Sequence, residues 1–204
     1  VDTDFCGHYD NGVNPDYYVV RICPSCGFAS TENGFDKLND TQKKNYYDRI
    51  GVNWKGQDFS GERTTEQAMA SYKLALLTAQ VTGAKDRVIA GLLHHIAWLY
   101  RYEKNETEEQ RFLKFALEAY IRVFELEGVS VNNAKLMFLI GELNRRTGEM
   151  NEAVKWFSRV VNDKKIMDAS MIRASREQWQ LIRQEAEEER LGRLVSKSQG
   201  VGSA

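Results

Sequence analysis

The chain has 204 residues, 28% of them charged, with a formal net charge of −1. That balance provides no basic field to hold a polyanion by counterion release, which sets general nucleic-acid binding aside. No apolar run reaches the roughly 20 residues of a membrane span and no charged-then-apolar leader opens the chain, so with three cysteines, too few and too unevenly placed for a secreted framework, a cytoplasmic protein is expected.

The chain starts at Val1, and its opening "DTDFCGHYD" already has the look of a motif's interior, so further sequence is expected upstream. Both prolines, Pro15 and Pro24, fall in residues 1–63 together with many of the Gly, Asn and aromatic residues, and this part reads as a β/turn module. "YYVVRI" (Tyr17 to Ile22) is β-rich and leads straight into Cys23-Pro24-Ser25-Cys26-Gly27. A Cys-x-x-Cys-Gly turn offers two thiolates to one zinc ion while its backbone N–H groups point at the sulfurs. Zinc takes four ligands, so two more are needed. Cys6 and His8, a Cys-x-His that an extended chain points to one side, complete one set with Cys23 and Cys26. The alternatives are ligands lying before Val1, and a site left empty or oxidised.

Catalytic readings find less support. A redox Cys-x-x-Cys wants a helix N-terminus beside the thiols, and Gly27 argues against a helix there. Cys6 with His8 lacks a third, orienting group, and no P-loop, Gly-x-Gly-x-x-Gly or His-Glu-x-x-His occurs. The expectation is therefore a protein that is not an enzyme.

Residues 64–186 contain no proline and read as helices. Thr64-x-x-Gln67 and Thr107-x-x-Gln110 are capping-box patterns, Asp86 is placed to cap another helix, and Ser130 or Asn132 a fourth. The helices also repeat. Met137, Ile140, Gly141 and Asn144 share one face, Gly148 supplies a turn, and Ala153, Phe157 and Val160 form the facing stripe. That spacing approaches the tetratricopeptide pattern, which recurs over about 34 positions. A longer copy runs Leu93, Ile96, Ala97, Tyr100, then Ala116, Tyr120, Val123, and a half copy precedes it at Ala68, Tyr72 and Ala75. Ile166 to Ala186 is then a terminal helix, its stripe made of Ile166, Met167, Met171, Ala174, Ile182 and Ala186, and residues 187–204 are expected to be frayed or disordered. The fold class that follows is mainly α: a short tetratricopeptide-like stack behind a small zinc-ribbon-like module.

Such stacks present a groove lined by the first helix of each pair. Here its residues are His94, Trp98, Arg101 and Tyr102, then Lys135, Phe138, Glu142, Arg145 and Arg146. Arginines beside aromatics suit a protein or peptide partner with an acidic or carboxylate-ended segment. A competing reading fills the groove intramolecularly with the Phe- and Tyr-rich module, and packs His94 and His95 as ordinary interior residues.

Five spaced segments, "DTDFC", "NPDYYVVRICPSCGFA", "FSGERTTEQAMASYKLAL", "GLLHHIAWLYR" and "RFLKFALEAY", resemble the bacterial domain of unknown function family 2225 over the chain up to about residue 160. The resemblance implies a helical-repeat-like bacterial cytosolic protein without assigned activity. It further implies a second Cys-x-x-Cys upstream of "DTDFC", hence zinc held between two Cys turns in the intact protein, with Cys23 and Cys26 as ligands. On these grounds a non-enzymatic interaction or scaffold protein is expected; the alternative is a zinc- or redox-responsive regulator that senses through the Cys cluster.

Overall fold

The computed structural model describes residues 1–10, 12–32, 37–127 and 133–200, the stretch 194–200 by its backbone alone. The described residues are mainly helical, with one two-stranded sheet, and form two compact units, Val1–Leu126 and Glu127–Ala204. No helix among them is long and apolar enough to cross a membrane.

In the first unit the β-rich run is mostly not strand. Pro15–Tyr18 makes a single 3-10 turn, since Asn14 accepts from the Asp16 N–H (2.9 Å) and Pro15 has no N–H to lose. Strand β1 (Arg21–Ile22) then pairs antiparallel with β2 (Ala29–Ser30), Ile22 opposite Ala29. The module also holds a helix that the reading as turns and strands does not include, α1 (Asp40–Arg49). Its stripe is too polar to register, yet Asn39 and Gln42 form a capping box and Tyr46 is buried.

Helix α2 (Thr65–Thr82) starts at the capping box of Thr64 and Gln67 and stops at Gly83, whose φ of +64° suits a residue without Cβ. Helix α3 (Asp86–Tyr102) opens after Lys85 without a side-chain cap, so Asp86 is not the cap but the first-turn acid that meets the positive end of the helix dipole. Helix α4 (Glu106–Glu127), by contrast, is capped by Asn105, whose Oδ1 accepts from the Glu108 N–H (3.2 Å), and Thr107 falls inside the first turn. The apolar stripes are buried: Ala68, Tyr72 and Ala75 on α2, Leu93, Ile96, Ala97 and Tyr100 on α3, Ala116, Tyr120 and Val123 on α4. Rings bridge α3 and α4, with Tyr100 5.4 Å from Phe112 and His94 5.9 Å from Tyr120. Arg63 ties the front of the unit together by donating to the carbonyls of Tyr17 and Val20 (both 2.9 Å) and of Phe59 (3.1 Å).

The second unit contains α5 (Ala134–Arg146), α6 (Met150–Asn162) and α7 (Ala169–Gly200). The cap expected at Ser130 or Asn132 lies outside the described residues. Gly148, at φ +88°, turns the chain between α5 and α6. Gly141 lies against the ring of Phe157, where a Cβ would sit 2.7 Å from Cε1. Met137, Ile140, Ala153, Phe157 and Val160 are buried around that contact, and Asn144 returns its amide to the Ile140 carbonyl (2.8 Å).

Two details of the terminal helix differ from the sequence reading. Asp168 caps α7 by accepting from the N–H groups of Ser170 and Met171 (both 3.1 Å), which leaves Met167 before the helix and 79% exposed. The buried stripe is Ser175, Gln178 and Ile182, while Ala186 faces solvent. From 183 to 193 every residue is exposed, yet the helix continues to Gly200 where fraying is expected from 187. Glu187–Arg190 (2.8 Å) and Glu189–Arg193 (2.9 Å) are local pairs, each of about 0.2–0.5 kcal/mol, in a run of strong helix formers. Residues 201–204 of that tail lie outside the described residues.

Candidate functional site

One end of α3 carries four of the residues that sequence assigns to a groove, and all four are engaged by the chain's own first residues. The "DTDFC" segment folds back on itself through Phe5 N–H to the Asp2 carbonyl (2.9 Å) and Asp2 N–H to the Cys6 carbonyl (2.8 Å). Phe5 adopts φ +71°, a conformation uncommon outside glycine. The turn directs both carboxylates at Arg101. Asp4, fully buried, receives Nη1 and Nη2 of Arg101 on its two oxygens (2.9 and 2.7 Å). The indole N–H of Trp98 also donates to Asp4 (3.2 Å), and His94 Nε2 lies 3.3 Å from it.

Arg101 reaches two further acids, Asp2 at 2.6 Å and Glu109 of α4 at 2.7 Å. Burial works against its charge, but the bonds from Asp4 and Glu109 outweigh that and hold its pKa above the ordinary guanidinium value. Tyr102 donates to Asp16 (2.8 Å), and its hydroxyl lies 3.4 Å from Cys6 Sγ. Burial, more than any neighbour, pushes the Cys6 thiol up to about 11, so it stays protonated and unreactive at neutral pH. His8 pairs with Asp2 (2.6 Å). His95 stacks on Tyr72 (5.5 Å), is held by the Gly91 carbonyl (2.8 Å), and is kept neutral by burial.

The Cys turn is a separate construction. Cys23 N–H donates to the Phe28 carbonyl and Gly27 N–H to the Cys23 carbonyl (both 2.8 Å), with Gly27 at φ +73°. The indole of Trp54 covers Gly27 so closely that a Cβ there would meet its Cε3 at 2.3 Å, and its N–H donates to the Pro24 carbonyl (2.8 Å). Tyr46 holds the far side through the Cys26 carbonyl (2.8 Å). The backbone N–H groups of Cys26 and Ser25 favour the Cys23 thiolate and lower its pKa, whereas burial raises that of Cys26. Two adjacent sulfurs supported by N–H donors fit half of a tetrahedral zinc site. No group of three or more Cys, His, Asp or Glu able to hold a metal occurs among the described residues. Cys6 and His8 belong to the Asp–Arg cluster instead.

The remaining groove residues lie on α5. Phe138 is a core residue, buried 5.7 Å from Phe157. Glu142 is fully buried and accepts from Arg145 (2.8 and 2.7 Å) and Arg146 (2.8 Å), while Lys135 is exposed. The arginine face thus carries its own carboxylate here too.

Sequence reasoning missed the partners rather than the positions. Asp2, Asp4, Asp16 and Glu109 carried no signal beyond being acids, and Trp54 and Tyr46 none that links them to the cysteines.

A family model described as uncharacterized protein conserved in bacteria (DUF2225) matches residues 1–182. No curated protein and no solved structure matches.

Proposed function

Because the chain belongs to this family of uncharacterized bacterial proteins, which assigns no reaction, we propose from its own residues that it is a non-enzymatic interaction or scaffold protein. Its helices are read as a short tetratricopeptide-like stack, and its front as a zinc-ribbon-like module. The observation that carries the reading is the α5–α6 hairpin, where Gly141 beneath Phe157 permits the close helix approach that repeat stacking requires.

The candidate residues of α3 are engaged by Asp2 and Asp4, so partner binding is assigned to α5 by itself. There Lys135 is exposed, and the side chains of Arg145 and Arg146 remain 26% and 19% exposed beside Glu142. The partner is a protein segment rich in carboxylates, the chemistry that Asp2 and Asp4 already satisfy at Arg101. Lys135→Glu combined with Arg145→Gln is expected to lower cross-linked capture of a specific partner in bacterial cells by about tenfold, with the helical circular-dichroism signal intact. Equal capture by the double variant overturns the α5 assignment.

A second reading, a zinc- or redox-responsive regulator, draws on the half-buried position of both Cys23 and Cys26, in contrast to buried Cys6. Zinc at this turn would be held by Cys23 and Cys26, completed by ligands other than the described residues, and would cross-link the module. Elemental analysis of the full-length protein is expected to find stoichiometric zinc that Cys23→Ser removes. Regulation requires in addition that oxidant release the metal and change the helical signal; zinc that stays bound, with that signal unmoved, excludes sensing.

A further inference from the structure

In the first unit a cleft of about 410 Å³ opens between β1, the Cys turn and the segment 56–63. We propose that this cleft binds the zwitterion of an apolar α-amino acid, with the carboxylate on Arg63, the ammonium on Asp58 and the side chain against Ile22, Pro24 and Phe59.

Arg63 is a cation held in place by dipoles. Its Nη1 donates to the carbonyls of Tyr17 and Val20 (both 2.9 Å) and its Nε to that of Phe59 (3.1 Å), while the rings of Tyr18 and Phe59 lie 5.5 and 5.8 Å from its Cζ. Among the described residues no carboxylate pairs with it, and its Nη2 makes no hydrogen bond. The side chain is half-buried, and burial draws its pKa below the ordinary guanidinium value, a cost that an anion at Nη2 would offset. A guanidinium already fixed in one orientation, with one edge still open, is suited to a carboxylate because little further order is lost on binding.

Asp58 supplies the opposite pole. The Ser60 N–H donates to its Oδ1 (2.8 Å), which holds the carboxyl below the usual carboxylate range and keeps it ionised at neutral pH. Among the described lining residues Asp58 and Arg63 are the ionisable ones, one of each sign. A simple anion would meet Asp58 and a simple cation would meet Arg63, whereas a zwitterion satisfies both. Ile22, Pro24 and Phe59 give the apolar wall that an aliphatic side chain needs. At about 410 Å³ the cleft lies toward the lower end of ligand pockets, which favours an amino acid over a nucleotide cofactor. The site includes neither the Asp–Arg cluster nor either thiol of the Cys turn, and it does not depend on the scaffold reading.

L-leucine is the probe, titrated into the full chain and followed by calorimetry and by the methyl resonances of Ile22. Saturable one-site binding that shifts those methyls is expected. Because Arg63 also holds the surrounding backbone, its contact is tested from the ligand side: L-leucinamide, which lacks the carboxylate, should bind about tenfold more weakly. N-acetyl-L-leucine, which lacks the ammonium, should lose a similar factor. Asp58→Asn changes an exposed side chain and should weaken L-leucine about tenfold without weakening N-acetyl-L-leucine. Non-saturating L-leucine, unmoved Ile22 methyls, either analogue binding as tightly as L-leucine, or an Asp58→Asn effect that is absent or shared by N-acetyl-L-leucine each overturns the proposal.

Discussion

Replacing Arg101 by methionine is expected to destabilise the first unit by about 3–5 kcal/mol in urea denaturation, the range for removing one partner of a buried ion pair. Methionine keeps most of the apolar stem and deletes only the guanidinium. Asp4 would then be buried with the Trp98 N–H at 3.2 Å and His94 at 3.3 Å, neither of which replaces two charge-assisted bonds at 2.7 and 2.9 Å. Asp2 and Glu109 would lose their shared cation as well. The double variant Asp4→Asn/Arg101→Met should recover part of the loss, because the fully buried carboxylate is then neutral and only the partly exposed Asp2 and Glu109 lack their cation, and that recovery separates the Asp4 pair from packing. Iodoacetamide labelling supplies an independent reading. Cys6 is fully buried under the same turn, so it should label faster in Arg101→Met than in the parent protein. A loss below about 1 kcal/mol, the value of a solvent-exposed pair, would mean that the segment is not anchored through Arg101.

Phe157→Ala should cost the second unit a similar amount, about 3–5 kcal/mol, through lost burial and the cavity left behind. The ring is fully buried, contacts Phe138 at 5.7 Å and fills the notch that Gly141 leaves on α5. Gly141→Ala probes the same notch from the other side. Alanine is the better helix former by about 1 kcal/mol, so on an open helix face the change would stabilise. Here its Cβ would sit 2.7 and 2.9 Å from two atoms of a ring enclosed on all sides, and overpacking of about 1–3 kcal/mol should win. The sign is therefore the result to look for: destabilisation by Gly141→Ala, with relief in Gly141→Ala/Phe157→Leu. A stabilised Gly141→Ala would show that the helices separate freely at this point, and the repeat reading would lose its support.

The contrast between α2 and α4 illustrates how far local signals reach. Thr64 and Gln67 form the capping box that their spacing announces, whereas the same spacing at Thr107 and Gln110 is overridden because Asn105 already satisfies the Glu108 N–H. The two patterns are indistinguishable without knowing where the preceding turn ends, and that turn is set by Lys104 at φ +56°. Helix α1 is hidden in the sequence for the opposite reason. Its capping box was present, but its apolar stripe reduces to Tyr46, which is buried by neighbours far along the chain.

The amino-acid order by itself determined the helices of residues 64–186, the small residues at their contacts, the glycines at Gly83 and Gly148, and the pairing of Cys23 with Cys26 on one turn. Each of these depends on atoms within a turn or two of the same segment, where spacing specifies geometry. Tertiary structure alone decided that Arg101 meets Asp4 across 97 positions, that Cys6 lies beneath Tyr102 instead of joining the other thiols, and that Glu142 serves its own arginines. Acids are interchangeable in sequence. Which of them loses its water to face a given guanidinium is settled only when burial makes leaving that charge unpaired too costly.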